Sequence, residues 1–333
     1  MTAMRVMRAA RTTAAVAITA MALTACSWRL ETEQPVWPSP DAVTVARDEA
    51  AQREQTVIDA IASPDDTTAD AVIVSFETTA APERLAALGG VYVAYPDSTA
   101  APTVSPEPTP SAADAVAAAR DGAFAAALTT TDADLAFLLN SAGLSHGLTA
   151  WYADWAGEAF LDAETPVVAE RVLESPALEG VAVVPASTAV ETSTLSTLVV
   201  EHDRARYLYE VMAAKSADDE REQWLARRDI QAARADALAA LPDVEDARQA
   251  VYVVDNSTVA DAETRTATAQ ATETDLGEAY AALMNGAEPS EIPWLIGAAF
   301  DAYAQAAAYA DPSAHDAVIP ALPGLTVDAS SSQ

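Results

Sequence analysis

The pair of side chains best suited to chemistry is Glu201-His202, with Tyr207 and Tyr209 following on the same stretch. A carboxylate beside an imidazole can share a proton or hold a divalent cation. At about 100° per residue, Leu198, Ala205, Tyr209 and Met212 form one apolar stripe. Glu201 and His202 flank that stripe on opposite sides, both leaning inward. One metal ion held with help from Asp275 or Glu273 would satisfy this pattern. So would an ion pair from Glu201 to Arg227 or Arg228 on the next helix, because a half-buried charge needs a partner. The ion pair is the expected arrangement.

The remaining chemistry-bearing residues point nowhere in particular. His146 and His315 could each join a Ser-His-Asp arrangement, yet no local signature surrounds either. No Gly-x-Ser-x-Gly, phosphate-cradling glycine loop or Gly-x-Gly-x-x-Gly is present. A single cysteine, Cys26, excludes thiolate metal clusters. Paired carboxylates carry no information when 50 acids are spread over 333 residues. Trp151, Tyr152, Trp155 and Phe160 form an aromatic group in which Trp151 and Trp155 share a helix face. They suit a core stripe or a platform for cell-wall sugars; the core is the expected place. No catalytic residue and no cofactor are read from the sequence, and an enzymatic role is not expected.

Charge limits the partners. Eighteen basic residues against 50 acidic give a net charge of −32. Residues 1–25 hold Arg5, Arg8 and Arg11 and no acid, so removing them takes the net charge to −35. Such a surface repels phosphate backbones, and nucleic acid is not expected as a partner. Lys215 is the only lysine. Alanine is abundant and there are 11 glycines, a balance that favours helix because alanine loses no side-chain entropy there.

The three arginines precede an apolar stretch, residues 12–22, too short to span a bilayer as a stable helix. Leu23-Thr24-Ala25-Cys26 follows, and it resembles the lipobox of bacterial lipoproteins. The resemblance implies cleavage before Cys26 and lipidation of its thiol. Two or more acyl chains, at about 0.8 kcal/mol per buried methylene, anchor stably where one does not. The chain is therefore expected on the extracytoplasmic face of the cell membrane, held there by its lipid, with an envelope protein or the cell wall as the partner within reach.

The elements that position these residues are helical. Patterns run over residues 41–62, 66–88, 111–128, 132–142 and 146–163, with Val72-Ile73-Val74 equally readable as strand. Residues 26–40 read as a tether and 96–112, with five prolines, as an extended connector. In the second half, Thr188-Ala189-Val190-Glu191 fits a capping box and places a helix start at Thr188, running to about Ala214. A second helix starts at Ser216 and ends near Leu241. A third opens at Thr258 and Asp261 and closes at Asn285-Gly286, and a fourth runs from about Ser290 to before Pro312. Four helices with a longer link after the second describe a bundle with one crossover. Val91-Tyr92-Val93 and Val251-Tyr252-Val253 sit early in the connectors of the two halves and hint at a duplication.

With the lipobox, Leu198-Val199-Val200-Glu201-His202, the Tyr207-Leu208-Tyr209 run, the Leu85–Val91 stretch and the arginine-rich second helix together resemble a group of actinobacterial lipoproteins carrying a ferritin-like domain of unknown function. The resemblance implies a ferritin-like four-helix bundle over 188–312 and no established activity. Bundles of that kind often hold two metal ions through Glu-x-x-His pairs. Here Gly143 precedes His146 by three, Val199 precedes His202 and Pro312 precedes His315, so that pattern does not occur.

The expectation is an all-α protein: signal peptide 1–25, tether 26–40, helical region 41–165 with a degenerate second bundle left open, bundle 188–312 and flexible tail 313–333. Its expected role is non-catalytic binding or scaffolding at the envelope. The alternatives are an oxidoreductase or storage protein with an atypical metal site, or a cell-wall glycan-binding module.

Overall fold

Eight α-helices carry the structure, a computed structural model that describes residues 40–63, 68–92, 109–161, 168–176, 178, 184–310 and 319–325. They are α1 (Ala42–Ile61), α2 (Thr68–Ala87), α3 (Ala112–Ala127), α4 (Ala133–Leu161), α5 (Thr192–Lys215), α6 (Asp218–Ala239), α7 (Ala262–Leu283) and α8 (Ile292–Ala308). Among the described residues there is no strand, and all eight helices lie in one unit, Asp41–Gln333. The fold class is all-α. Val72 and Ile73 are fully buried on α2, so tertiary burial decides that stretch for helix over strand.

Side-chain caps set several starts. Asp41 accepts from Thr44 N at 2.7 Å, Ser111 from Asp114 N at 3.1 Å, and Asp261 forms a capping box with Thr264. The box expected at Thr188 does not form. Thr188 Oγ1 instead accepts from Val190 N and donates to Glu291, and α5 starts at Thr192 with Glu191 as an N-cap that makes no side-chain bond. The competing partner is Glu291, which also accepts from Trp294 Nε1 at 2.7 Å and pins the connector to the start of α8.

The expected break between 142 and 146 is absent: α4 is one helix of 29 residues through Gly143 and Gly147. Both glycines serve packing. A Cβ on Gly143 would lie 2.6 Å from the Phe124 ring of α3, and one on Gly147 would lie 2.7 Å from Leu173. Glycine's cost of about 1 kcal/mol in a helix is offset by that close approach.

In the first half α1 packs on α2 and α3, and α4 packs on α2 and α3. Small residues such as Ala51, Ala60, Ala115 and Ala119 fill the seams. The second half repeats the two hairpins, α5 on α6 and α7 on α8, with a lighter contact from α5 to α7. There α6 and α8 stand further apart and long polar side chains span the gap. Helix α8 is buried nearly all round, packs on α4 as well as α7, and joins the halves through contacts such as Trp151 edge-on to Phe300, 6.2 Å between centroids. Asp301 is its single charged residue.

The tail expected to be free from 313 carries a packed segment. Leu322 is buried, Ser141 Oγ donates to Pro323 O at 2.7 Å, and Gly324, at φ +80°, lies where a Cβ would meet the Ala281 backbone at 2.5 Å. No helix among the described residues is long and apolar enough to cross a membrane.

Candidate functional site

Each half encloses one buried charged network, and both centre on arginine. In the first half Arg84 on α2 is fully buried and donates through Nε to both carboxylate oxygens of Glu54 on α1, at 3.1 Å each. Its Nη2 donates to Glu77 and its Nη1 to Ser145 Oγ at 2.9 Å. His146 on α4 closes the group, with Nε2 2.8 Å from Glu54 Oε1 and Nδ1 3.5 Å from Glu77 Oε1. Spacing explains the convergence: Glu77 and Arg84, seven apart, share a face of α2.

Electrostatics holds both acids ionised. Burial pushes the Glu77 carboxyl up, but Arg84 and His146 outweigh it and bring it down to about 2. Glu54 is lowered in the same way, by His146 and Arg84 against burial. Burial and Arg84 act against a charged His146, yet Glu54 and Glu77 outweigh them and raise it above its ordinary value. Two carboxylates thus face one permanent and one titratable cation.

The second network spans α5 to α8. Arg227 on α6 donates through Nε and Nη2 to Glu273 on α7, at 2.7 and 2.5 Å, and through Nη2 to Asp301 on α8 at 2.8 Å. Arg234, two turns on, places Nη1 2.7 Å from the same Asp301 oxygen. The other Asp301 oxygen accepts the backbone N–H of Arg171. Tyr209 Oη donates to Glu273 at 2.6 Å and Gln231 Nε2 donates to it at 2.9 and 3.2 Å. Burial raises the Asp301 carboxyl, but Arg227 and Arg234 hold it at about 2.

His202 ends this chain of bonds in a neutral state. Burial first, then the charge of Arg234, pushes it down to about 3. Its Nδ1 faces Gln231 Oε1, which can only accept, so Nδ1 carries the proton and Nε2 accepts from Tyr280 Oη at 2.6 Å.

These positions change the sequence expectations. His202 is buried as expected, but Glu201 turns to the surface, pairing with Arg204 on its own helix at 2.8 Å. Arg227 serves Glu273 and Asp301, and Arg228 pairs with its neighbour Asp229. Glu201 sits on the outer edge of the α5 stripe, where its own turn supplies a cation. Asp275 is also exposed, so neither joins His202. Within the last four helices the inward carboxylates are instead Glu273 and Asp301, both fully buried. Among the described residues no group of three or more His, Cys, Asp or Glu is placed to hold a metal ion. Tyr152 and Trp155 are buried and Trp151 is half-buried, stacked on Trp155 with Arg171 5.0 Å from its ring. Cys26 and His315, and the side chain of Phe160, lie outside the described residues.

A groove of about 810 Å3 lies open between α5, α7 and the connector 249–258. Leu208 and Leu276 give it an apolar floor, and Glu201, Asp255 and Asp275 place carboxylates around it. Tyr252 fixes the connector: its hydroxyl donates to buried Asp203 at 2.8 Å and accepts from Gln249 N at 3.0 Å. A second groove, of about 460 Å3, reaches the second network through Arg234.

Compared with known proteins, the chain matches no family model, no curated protein and no solved structure.

Proposed function

We propose that this chain is a lipid-anchored extracytoplasmic protein, built on ferritin-like bundles, that binds a partner at the cell envelope and performs no catalysis. The observation that carries this reading is the Arg227 guanidinium, fully buried between Glu273 and Asp301. A metal ion would have to displace a cation that already makes three charge-assisted bonds to those carboxylates. The donor set therefore does not fit a resident ion, and Arg84 between Glu54 and Glu77 repeats the arrangement. Two hairpins joined by a long connector support the ferritin-like assignment. The lipobox ending at Cys26 supports the anchor.

Elemental analysis of the full chain after exposure to Fe(II), Mn(II) or Zn(II) tests the first part. Well under one ion per chain is expected, and a stoichiometric ion lost in Glu273→Gln would overturn it. Fractionation of the native host tests the second: Cys26→Ala is expected to leave the membrane fraction, and its retention there would remove the anchor.

A further inference from the structure

The connector roofing the larger groove has the form of a strand without a neighbour. From Val251 to Asp255 its residues alternate between exposed and half-buried: Val251 and Val253 point outward, Tyr252 and Val254 inward. Val251 is 66% exposed and Val253 fully so. Period-two alternation is the mark of extended backbone lying on a core. Among the described residues, the backbone of residues 250–254 makes no hydrogen bond to other backbone. Globular proteins seldom leave two large valines exposed on an unpaired extended segment, since that is a template for another strand.

The corresponding place in the first half is handled differently. Val91 and Tyr92 are also exposed after α2, but there Asp48 on α1 takes the Tyr92 N–H at 2.7 Å. In the second half a carboxylate of α5, Asp203, takes the Tyr252 hydroxyl instead. The backbone of 250–254 pairs with no other backbone, while the Tyr252 ring packs with Arg204 at 5.8 Å and Tyr207 edge-on at 5.8 Å.

Charge selects the occupant. Glu201, Asp255 and Asp275 surround the groove against the single cation Arg204, itself engaged by Glu201. The whole chain carries −32, so an acidic segment or a second copy of this chain is repelled. We propose that residues 250–254 and the groove beneath them bind an extended, basic, valine- or leucine-bearing peptide segment of a partner protein by strand addition. Backbone pairing supplies the affinity, alternate apolar side chains meet Val251, Val253 and the groove floor, and lysine or arginine side chains meet the carboxylates. This rests on the binding role proposed above and names the partner's chemistry.

The test uses the detergent-solubilised full chain and a fluorescein-labelled peptide of four Lys-Val repeats, read by anisotropy. Saturable binding is expected, weakening as salt rises from 50 to 200 mM. N-methylation of alternate peptide bonds, which blocks strand pairing, is expected to cost at least about tenfold. Glu201→Gln with Asp275→Asn is expected to cost about tenfold. Ala279→Trp, which fills the groove, is expected to abolish binding while the circular dichroism and melting temperature stay unchanged. Absence of binding, equal binding of the N-methylated or a Lys-Gly peptide, or full binding to Ala279→Trp would each overturn the proposal. Metal content of the same preparation reports separately on the non-catalytic reading, so the two can fail independently.

Discussion

Arg84 Nε lies 3.1 Å from both carboxylate oxygens of Glu54, and neither residue reaches solvent to any useful extent. The bond ties α1 to α2 inside a seam otherwise made of apolar side chains, among them Val57, Ala60, Val72 and Ile73. Removing the cation alone leaves Glu54 and Glu77 buried and under-compensated. Arg84→Met is therefore expected to destabilise the fold by roughly 3–5 kcal/mol in urea denaturation. Replacing both acids with the arginine, Glu54→Leu, Glu77→Leu and Arg84→Met, leaves His146 free to stay neutral and is expected to recover most of that loss. A triple variant no more stable than Arg84→Met would show that the network itself is required.

The two buried histidines should give stability a maximum near neutral pH. His146 has a raised folded-state value, so its contribution is full below the ordinary value of 6.5 and is lost as pH rises through the folded one. His202 is held neutral and falls to about 3, so below 6.5 the unfolded chain binds a proton that the folded chain refuses. Stability then drops as pH falls from 6.5 toward 3, joined below about 4.5 by Glu77, at about 2 when folded. Urea midpoints measured from pH 4 to 9 should form a dome peaking near 6.5. His202→Gln, which keeps a donor and an acceptor, should flatten the acid side only. A midpoint that rises steadily across this range would contradict the His146 assignment, and one that falls steadily would contradict the His202 assignment.

Much of this architecture is legible in the sequence because it rests on local signals. Asp41, Ser111 and Asp261 cap helices where such residues precede apolar periodicity. Where a distant residue competes, local reading fails. Thr188 is taken by Glu291, 103 residues away, and Gly143 is answered by Phe124. The networks were hardest to read. Arg227, Gln231 and Arg234 sit at i, i+4 and i+7, a core spacing, but three long polar side chains draw no apolar stripe that would mark the face as inward. Asp301 did carry a signal: one acid among apolar residues of α8 has to be buried and has to be paired. For Glu201, an inward lean on a helical wheel does not distinguish a flank that is covered from one that is not.

Asp301 should be the most sensitive acid in the second half. It meets Arg227 and Arg234 through one oxygen and the Arg171 backbone through the other, so it fixes α6 and the segment before α5 against α8. Asp301→Asn keeps the shape and removes the charge, leaving two buried guanidiniums to share Glu273. A loss of roughly 3–5 kcal/mol is expected. Glu201→Gln, an exposed partner of Arg204, should change stability by less than about 1 kcal/mol. Comparable losses in the two variants would mean that the buried pairing does not distinguish them.

The continuity of α4 makes a prediction about space. A Cβ on Gly143 would stand 2.6 Å from Phe124 Cε1, and the ring is itself fully buried on α3. Gly143→Ala improves helix propensity by about 1 kcal/mol yet forces the ring aside. Overpacking of this kind costs roughly 1–3 kcal/mol, so a net loss is expected. Phe124→Leu frees room beside the helix axis but leaves a cavity when made alone. The double variant should therefore be more stable than the sum of the single losses implies, a coupling of roughly 0.5–3 kcal/mol in thermal unfolding. Strict additivity would place Phe124 elsewhere and reopen the expected break between residues 142 and 146.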